Sequence, residues 1–488
     1  MKIHFKKHIT GLLLLILVIS SVACKRILDL EPHNSTFTGA YFTNGQDANS
    51  AISGAYSSLR RVLLNNYSWH VYGDAPSGEF SIRSDRDNQN YNISNGEFTG
   101  LNVGSGNWNW QSYYQLLQQV NLIINKVPGI AIEKFTNQDD KKRIIGEAYF
   151  LRAFTYFYMS RIWGDVPLRL EPDLDINQAK NIPRTPAAEV LAQCIKDLEL
   201  AKANLVFGYS DENQRAVRAN KGSALALEAH IKAWTGDYAG SEIASDDVIK
   251  NGGYALSDST NYSKVFIGKS LEGIFEINIS YGQSEGISLN GGGYAPTLRR
   301  PYVANKADIQ WPVNTSYINK IYKDTTDIRY RTFFFQAQSS EGQTIKFSNV
   351  TYADGSAKND PRLSNNLIIF RLADIYLLRA EALNKLGRDG EAVILLNAIR
   401  KRAKVADYVG GGTALGTTIL EERLRELYFE GQSYYDMVRT KTLPTYNERF
   451  KDQFMNGTPE GGWLWPIDPG MFKDDFTLTQ TPYWQGRL

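Results

Sequence analysis

The chain has 488 residues, of which 42% are hydrophobic and 22% are charged, and its formal net charge at pH 7 is +2. This composition is that of a folded globular body. A charge balance so close to zero, without a concentrated basic run, excludes a nucleic-acid partner, because counterion-driven binding needs a basic face.

The first predicted element is a secretory signal peptide over residues 1–23. A basic stretch precedes the apolar run 11–23, which is shorter than the roughly 20 residues that span a bilayer and suits the apolar region of a signal. After residue 24 the sequence contains no long apolar segment. We therefore expect the chain to be exported, with any attachment to a membrane made through a lipid.

Cys24 is one of only two cysteines in the chain. The string SVAC at residues 21–24 is similar to the lipobox of bacterial lipoproteins, although Ser21 stands where leucine is usual. Cleavage after Ala23 would make Cys24 the acylated first residue, and the lysine that follows favours sorting to the outer membrane. The alternative is a plain signal peptide that leaves Cys24 as a free thiol, which is unusual in an oxidising compartment.

Helical periodicity then appears in four regions, namely residues 109–127, 141–168, 220–254 and 370–403. The last two share one layout: a helix of about 15 residues rich in small side chains, a Gly/Asp turn and a second helix. This layout is the tetratricopeptide pattern. The predicted fold class is mostly α, with tetratricopeptide-like helical pairs forming a scaffold, because one pair cannot bury its apolar face alone.

Two long segments between these helices have a different composition. Residues 65–106 are rich in Asn, Ser, Gly and Asp, and residues 274–347 mix short strand-like runs with turn residues. The chain contains 28 Tyr, 22 Phe and 9 Trp, and several of these rings fall in the two segments. We predict long irregular loops, a few short strands, and rings that stack on the flat faces of sugars.

The sequence gives little support for an enzyme or a metal site. After the signal only three histidines remain, widely separated, and no paired-cysteine or HExxH spacing occurs. GQSEG at 282–286 matches a nucleophile elbow, but no helix pattern and no histidine follow it. GKS at 268–270 precedes a strand-like run rather than the helix of a phosphate-binding loop. Cys194 and His230 lie on helical patterns and are interpreted as core residues.

Acidic side chains in the first loop leave one enzymatic alternative open. A glycosidase needs only two carboxylates a few ångströms apart, and four acids are candidates for that pair. They are Asp74, Glu79, Asp85 and Asp87. The alternative interpretation, which we favour, is that they form turns or remain solvated loop charges.

Several strings together resemble the SusD/RagB family of outer-membrane lipoproteins. They are CKRILDLEP, GEAYFLRAFTYFYMSRIWGDVPL, FRLADIYLLRAEALNKLG, ILEERLRELYFEGQSYYDMVRT and LWPIDPGMFKDDFTLTQTPYW. The blocks occur in family order over nearly the whole chain after Cys24. The resemblance implies a single SusD-like domain over 24–488, with a loop-rich part at about 24–330 and a helical part at about 331–488.

The same resemblance implies a function without catalysis or a cofactor. It predicts a lipid-anchored, surface-exposed lid that captures oligosaccharides and delivers them to a SusC-like TonB-dependent transporter; an oligopeptide-binding lid of the RagB type is the alternative. Residues that match the blocks are expected to be structural, and the charged ones on helices can pair as buried Arg/Glu networks. These are Arg152, Gly164, Asp165, Arg371, Asp374, Glu381, Arg423, Glu426 and Glu430.

Ligand contacts in that family lie on variable loops, so the candidates come from the two aromatic loops of this sequence. They are Trp69, Tyr72, Arg83, Tyr91, Asn107, Trp108, Tyr294, Arg299, Tyr302 and Trp311. Rings would stack on sugar faces, while amide, carboxylate and guanidinium groups would form hydrogen bonds with sugar hydroxyls.

Overall fold

The computed structural model describes residues 41–98, 108–174, 180–209, 211–280, 285, 287–288, 295–324, 326–455 and 461–487. Within these residues the chain is mostly helical, as predicted. The helices are α1 (Gly45–Leu64), α2 (Ser68–Gly73), α3 (Asn88–Ser94), α4 (Gln111–Lys126), α5 (Asp139–Trp163), α6 (Ala187–Asn204), α7 (Lys221–Thr235), α8 (Tyr238–Asn251), α9 (Thr315–Ile321), α10 (Ile328–Phe333), α11 (Leu372–Lys385), α12 (Asp389–Arg402), α13 (Gly412–Glu426), α14 (Ser433–Arg439), α15 (Leu443–Tyr446) and α16 (Met471–Asp474).

The long helices pack one against the next and form the predicted scaffold. In turn, α1 packs on α4, α4 on α5, α5 on α6, α6 on α7, α7 on α8, α8 on α11, and α11 on α12 and α13. The pair α7 and α8 turns at Gly236, whose φ of +83° suits glycine, and Asp237 then caps α8 by accepting from the Gly240 amide. The tetratricopeptide-like pairs are therefore confirmed.

Short antiparallel strands attach the loops to this scaffold. They are β1 (Gly273–Ile277), β2 (Ile287–Ser288), β3 (Phe334–Phe335), β4 (Gln343–Thr344), β5 (Val350–Tyr352), β6 (Pro361–Leu363) and β7 (Leu367–Arg371). β1 pairs with β7, β6 lies between β2 and β5, and β3 pairs with β4. Because β7 leads directly into α11, the β1–β7 pair joins the second loop segment to the last helical pair.

One strand prediction is only half right. The run RTFFFQA was expected to be extended, but its first residues complete α10 and only Phe334 and Phe335 form β3. Asp327 caps α10 by accepting from the Arg329 amide, and its carboxylate also pairs with the Arg329 guanidinium. This local cap starts a helix that the aromatic run alone would not predict.

Several residues of the blocks that resemble the SusD/RagB family form ion pairs inside the core. Arg371 lies within 2.8 Å of Glu272 and 2.7 Å of both Glu426 and Glu430, and all four side chains are buried. Burial would raise the pKa of Glu426, but Arg402, Arg371 and Arg329 hold it well below its usual value. The predicted buried ionic network is thereby confirmed.

Two smaller interpretations are also confirmed. Cys194 is fully buried on α6, and burial raises its thiol pKa well above the usual value, which removes the thiolate that nucleophilic chemistry needs. His230 Nε2 lies 2.7 Å from the Asp374 carboxylate inside the helical core. Across the described ranges, every helix is too short or too polar to cross a bilayer.

Candidate ligand-binding surface

The two aromatic loop segments meet in space. Phe80 forms a β-bridge with Val313, and the amide of Arg83 donates to the carbonyl of Gln310 over 3.1 Å. We name the surface formed by residues 81–91, 299–311 and 336–343 the loop surface. Because backbone hydrogen bonds join its parts, side chains from distant sequence positions are held together in a fixed arrangement.

Trp311 holds these segments together from below. Its side chain is fully buried, and its indole Nε1 donates to Asp87 Oδ2 over 2.8 Å. The ring also packs against Phe80, with centroids 5.7 Å apart, and edge-on against Tyr67 at 6.2 Å. The expectation that Trp311 presents its ring to ligand is therefore corrected: it stabilises the surface from within.

Three further predicted contacts are core residues. Trp69 donates its indole N–H to the carbonyl of Glu430 over 3.0 Å, and Trp108 donates to the carbonyl of Pro466 over 3.0 Å. Tyr72 lies edge-on against Trp465 with centroids 4.7 Å apart. All three predicted rings are at most 3% exposed. For Trp69 and Tyr72 the correction has a physical cause: residues 68–73 form α2, which turns these two rings inward to large aromatic neighbours.

The predicted arginines do lie on the loop surface. Arg83 Nη1 lies 3.3 Å from one carboxylate oxygen of Glu341, and Arg299 Nε lies 3.2 Å from the other. Arg83 also donates to Asp85, and this hydrogen bond raises the pKa of the guanidinium. Glu341 thus aligns two partly exposed guanidinium groups. The sequence did not predict that these two arginines share a partner.

Two predicted tyrosines lie on the same loop segments and are partly exposed. Tyr302 is half-buried and packs edge-on against Phe335, with centroids 5.5 Å apart. Burial raises its pKa, so its hydroxyl stays protonated and can donate a hydrogen bond. Tyr91, on α3, is 37% exposed. The remaining predicted contacts, Asn107 and Tyr294, lie outside the described residues, as does Cys24.

The structure adds residues that the sequence interpretation missed. Asn66 and Tyr67 adopt left-handed backbone conformations, with φ of +51° and +58°, directly before α2. This turn aims the half-buried ring of Tyr67 at Trp311. The tandem asparagines at 65–66 were the available signal, since asparagine tolerates the left-handed region better than most residues. Strained backbone of this kind is often found at functional sites.

The four candidate acids have structural partners. Asp74 and Glu79 are fully buried, and burial raises the pKa of both carboxyls well above the usual value. Asp74 accepts from the Gly431 amide over 2.9 Å, and Glu79 accepts from the Phe429 amide and the Ser433 hydroxyl. Asp85 pairs with Arg83, and Asp87 caps α3.

The loop surface is suited to binding rather than to metal chemistry. It offers guanidinium and carboxylate groups beside half-exposed rings, which is the combination that holds a polar ligand with flat apolar faces. In the part of the chain that the structure describes, no three His, Cys, Asp or Glu side chains are grouped to hold a metal ion.

Comparison with known proteins shows two family models and several relatives that this chain matches. A family model described as "SusD family" matches residues 294–484, and one described as "Starch-binding associating with outer membrane" matches residues 39–232. SusD-like protein P38 of Formosa agariphila is 27% identical over 91% of this chain and 92% of that protein.

Other relatives come from Bacteroides thetaiotaomicron. The starch-binding protein SusD of this organism is 34% identical over 150 residues, which are 30% of this chain and 24% of that protein. The crystal structure of a SusD homologue superimposes with a TM-score of 0.78 at 26% identity, and the match covers 91% of this chain and 99% of that one.

Proposed function

Because this chain belongs to the SusD/RagB family, a family that binds starch and other glycans, we propose that it is a non-catalytic, glycan-binding lipoprotein of the outer-membrane surface. In this role it captures oligosaccharides and passes them to a SusC-like TonB-dependent transporter for nutrient uptake. The anchor is a lipid on Cys24, which becomes the first residue when the signal peptide 1–23 is removed.

The observation that carries this proposal is the convergence of the two loop segments. Arg83 and Arg299 flank Glu341, and Tyr302 and Tyr91 expose ring surface on the same assembled loops. Guanidinium and carboxylate groups can form hydrogen bonds with several hydroxyls of one sugar, and a tyrosine ring can cover the apolar face of that sugar. Only the convergence lets Glu341 pair with guanidinium groups from both loops.

The absence of catalysis is proposed from what the candidate acids do. Asp74 and Glu79 are buried in the core. Asp87 accepts hydrogen bonds from the Trp311 indole and from the first turn of α3, which it caps. A glycosidase needs one acid and one base that reach the glycosidic oxygen and the anomeric carbon. Enclosed carboxyls cannot reach a bound chain on the loop surface.

The test uses the chain from residue 25 onward, purified without its anchor and titrated against a panel of soluble oligosaccharides. Saturable binding to at least one glycan, with no new reducing ends after prolonged incubation, is the expected result. Binding to an oligopeptide panel, with no binding to any saccharide, would replace the proposal with a peptide-capturing lid. Release of reducing ends that is lost in Asp85→Asn or Asp87→Asn would show an enzyme.

The anchor is tested separately in cells. The full chain should partition with the outer membrane and be accessible to an external protease, whereas Cys24→Ala should be released in soluble form. Membrane retention of Cys24→Ala would contradict the lipid anchor while leaving the ligand-binding proposal intact.

A further inference from the structure

An elongated groove crosses the helical scaffold between the start of α5 and the segment that follows α6. Three cavities of about 510, 890 and 370 Å³ compose it. Asn49 and Asp140 line both the first and the second cavity, while Phe207 and Tyr209 line both the second and the third. Neighbouring cavities therefore share part of their lining, and we name the three together the scaffold groove.

The lining of the scaffold groove resembles a saccharide site in its chemistry. Four rings lie along it: one lines the first cavity, two line the second and three line the third, since two of them are shared, and amide side chains also line it. The rings are Phe135, Phe207, Tyr209 and Tyr254. Phe207, Tyr209 and Tyr254 are only half-buried, so part of each ring is open to a ligand. Amides such as Asn137 and Gln214 can donate to and accept from hydroxyl groups.

Two arginines that line the second cavity, Arg143 and Arg218, belong to an ionic cluster that extends into the core behind it. The Glu147 carboxylate is fully buried and accepts from Arg143 Nη1 over 2.9 Å and from Arg218 Nε over 3.0 Å. Arg143 Nη2 also donates to Asn49 Oδ1 over 2.8 Å and to Asp140 over 2.8 Å. The second cavity is lined by three acids and three bases, so its balanced charge favours an uncharged ligand over an ionic one; they are Asp139, Asp140, Asp211, Lys142, Arg143 and Arg218.

The hydroxyl of Tyr209 lies beside this ionic cluster, at a place that we call the floor of the groove. Its oxygen is buried, and among the described residues no atom forms a hydrogen bond with it. Burial raises the pKa of this hydroxyl well above the usual value, and the nearby Glu147 carboxylate adds to the rise. A buried hydroxyl without a partner costs free energy, and a ligand hydroxyl that reaches the floor would remove this cost.

The segment that carries Phe207 and Tyr209 is held in place before any ligand arrives. The amide of Lys221 donates to the carbonyl of Val206 over 2.9 Å, and the amide of Glu276 donates to the carbonyl of Ala216 over 2.8 Å. The amide of Ala219 donates to the Tyr56 hydroxyl over 2.8 Å. Binding to this segment would cost little ordering entropy, which favours affinity.

We propose that the scaffold groove is a second saccharide-binding site, which takes an uncharged stretch of a linear oligosaccharide. This inference rests on the proposed function for its ligand class, but it shares no residue with the loop surface. A protein with both sites holds one long glycan at two places or two glycans at once. The second contact raises the effective concentration of ligand at the first.

Hydrogen–deuterium exchange tests the groove and the loop surface in one experiment. The soluble chain is incubated with millimolar maltoheptaose, laminarihexaose or cellohexaose, and exchange is followed in peptides covering residues 203–209, 81–91 and 299–311. Slower exchange at 203–209 with at least one saccharide is expected. Protection of 81–91 and 299–311 alone overturns the groove and leaves the proposed function standing; no protection anywhere overturns both.

A conservative variant separates a ligand contact from a structural role. Tyr209→Phe removes only the hydroxyl that has no hydrogen bond, so it should leave the fold unchanged or slightly more stable. We expect a higher saccharide concentration to be needed for half of the maximal slowing of exchange at 203–209, which we call half-protection. The increase should be roughly two- to tenfold, because one hydrogen bond to the ligand is lost. If the concentration for half-protection is unchanged, the Tyr209 hydroxyl does not contact the ligand, and the proposal that the ligand reaches the floor of the groove is wrong.

The matched control is Tyr158→Phe. Its hydroxyl is also buried without a hydrogen-bond partner among the described residues, but it lies in the aromatic core on α5 and lines none of the three cavities. This variant should leave protection of 203–209 unchanged. An uncharged alanine–serine heptapeptide provides the second control, and protection of 203–209 by this peptide but by no saccharide overturns the ligand class.

Discussion

The indole Nε1 of Trp311 donates a hydrogen bond of 2.8 Å to Asp87 Oδ2, across 224 residues of sequence. The same carboxylate accepts from the amide and the side chain of Asn90, so Asp87 also fixes the start of α3. This hydrogen bond adds to the backbone bonds between residues 81–83 and 310–312 that hold the two halves of the loop surface together. A ring that the sequence assigns to ligand stacking instead orients other side chains for binding.

The first prediction concerns this hydrogen bond. Trp311→Phe removes the indole donor and leaves a smaller ring in a fully buried site, so we expect a loss of about 2 kcal/mol in the free energy of unfolding. Urea unfolding measures it. Glycan affinity should fall as well, because the two loop segments lose a shared contact. Unchanged stability would show that the indole and Asp87 are not coupled in solution.

The second prediction concerns direct contact with ligand. Tyr302→Ala removes a half-exposed ring beside Arg299, and we expect glycan affinity to fall roughly three- to tenfold because one stacking contact is lost. Titration calorimetry of the variant measures the change. Tyr352→Ala is the matched control, since its half-buried ring lies on β5 and its hydroxyl accepts from the Ala304 amide. An equal loss in both variants would indicate a general disturbance of the loops.

The sequence predicted the helical scaffold well because its signals are local. Periodicity of small and apolar residues, with Gly236 and Asp237 at the turn, is enough to place α7 and α8. The ionic core was also predictable, because arginine and glutamate at helical spacing in apolar segments need partners. Arg371 and Glu426 meet as expected.

The candidate site was harder to predict because exposure of a ring is a tertiary property. Trp69 and Trp108 occur in polar sequence, yet each finds a backbone carbonyl and aromatic neighbours in the core. Arg83 and Arg299 do stay partly exposed, because guanidinium groups are rarely buried without partners, and their contact with ligand stays a prediction. Glu341, which aligns them, was missed because no local pattern marks a residue that two distant loops share.

The third prediction tests the ionic core. Arg371→Met leaves Glu272, Glu426 and Glu430 buried with one cation fewer, and we expect a loss of roughly 3 to 5 kcal/mol in the free energy of unfolding. The matched control is Lys250→Met, which removes a side chain 66% exposed that pairs with Asp246 at the surface. Screening by solvent should limit its effect to about 0.5 kcal/mol. Similar losses in the two variants would contradict a special role for the buried network.

The last prediction concerns pH and Glu276, a fully buried carboxyl on β1. Burial raises its pKa from 4.5 to about 7, although hydrogen bonds from Asn366 and the Lys269 amide, and the Lys269 charge, oppose the rise. The folded protein therefore binds more protons than the unfolded chain between these two values. The stability that this group contributes is fully present below pH 4.5 and is lost as pH rises through about 7, a change on the order of 3 kcal/mol.

Glu276→Gln isolates this effect, because the amide oxygen can still accept from the Lys269 amide and from Asn366, which donate over 2.8 and 2.9 Å. The difference in unfolding free energy, variant minus wild type, should rise between pH 5 and pH 8, as measured by urea unfolding at each pH. Glu212→Gln, which changes a side chain 84% exposed, should give a difference that does not vary with pH. A flat difference for Glu276→Gln as well would mean that this carboxyl stays ionised inside the fold, because only a proton that the folded chain holds and the unfolded chain releases can produce the slope.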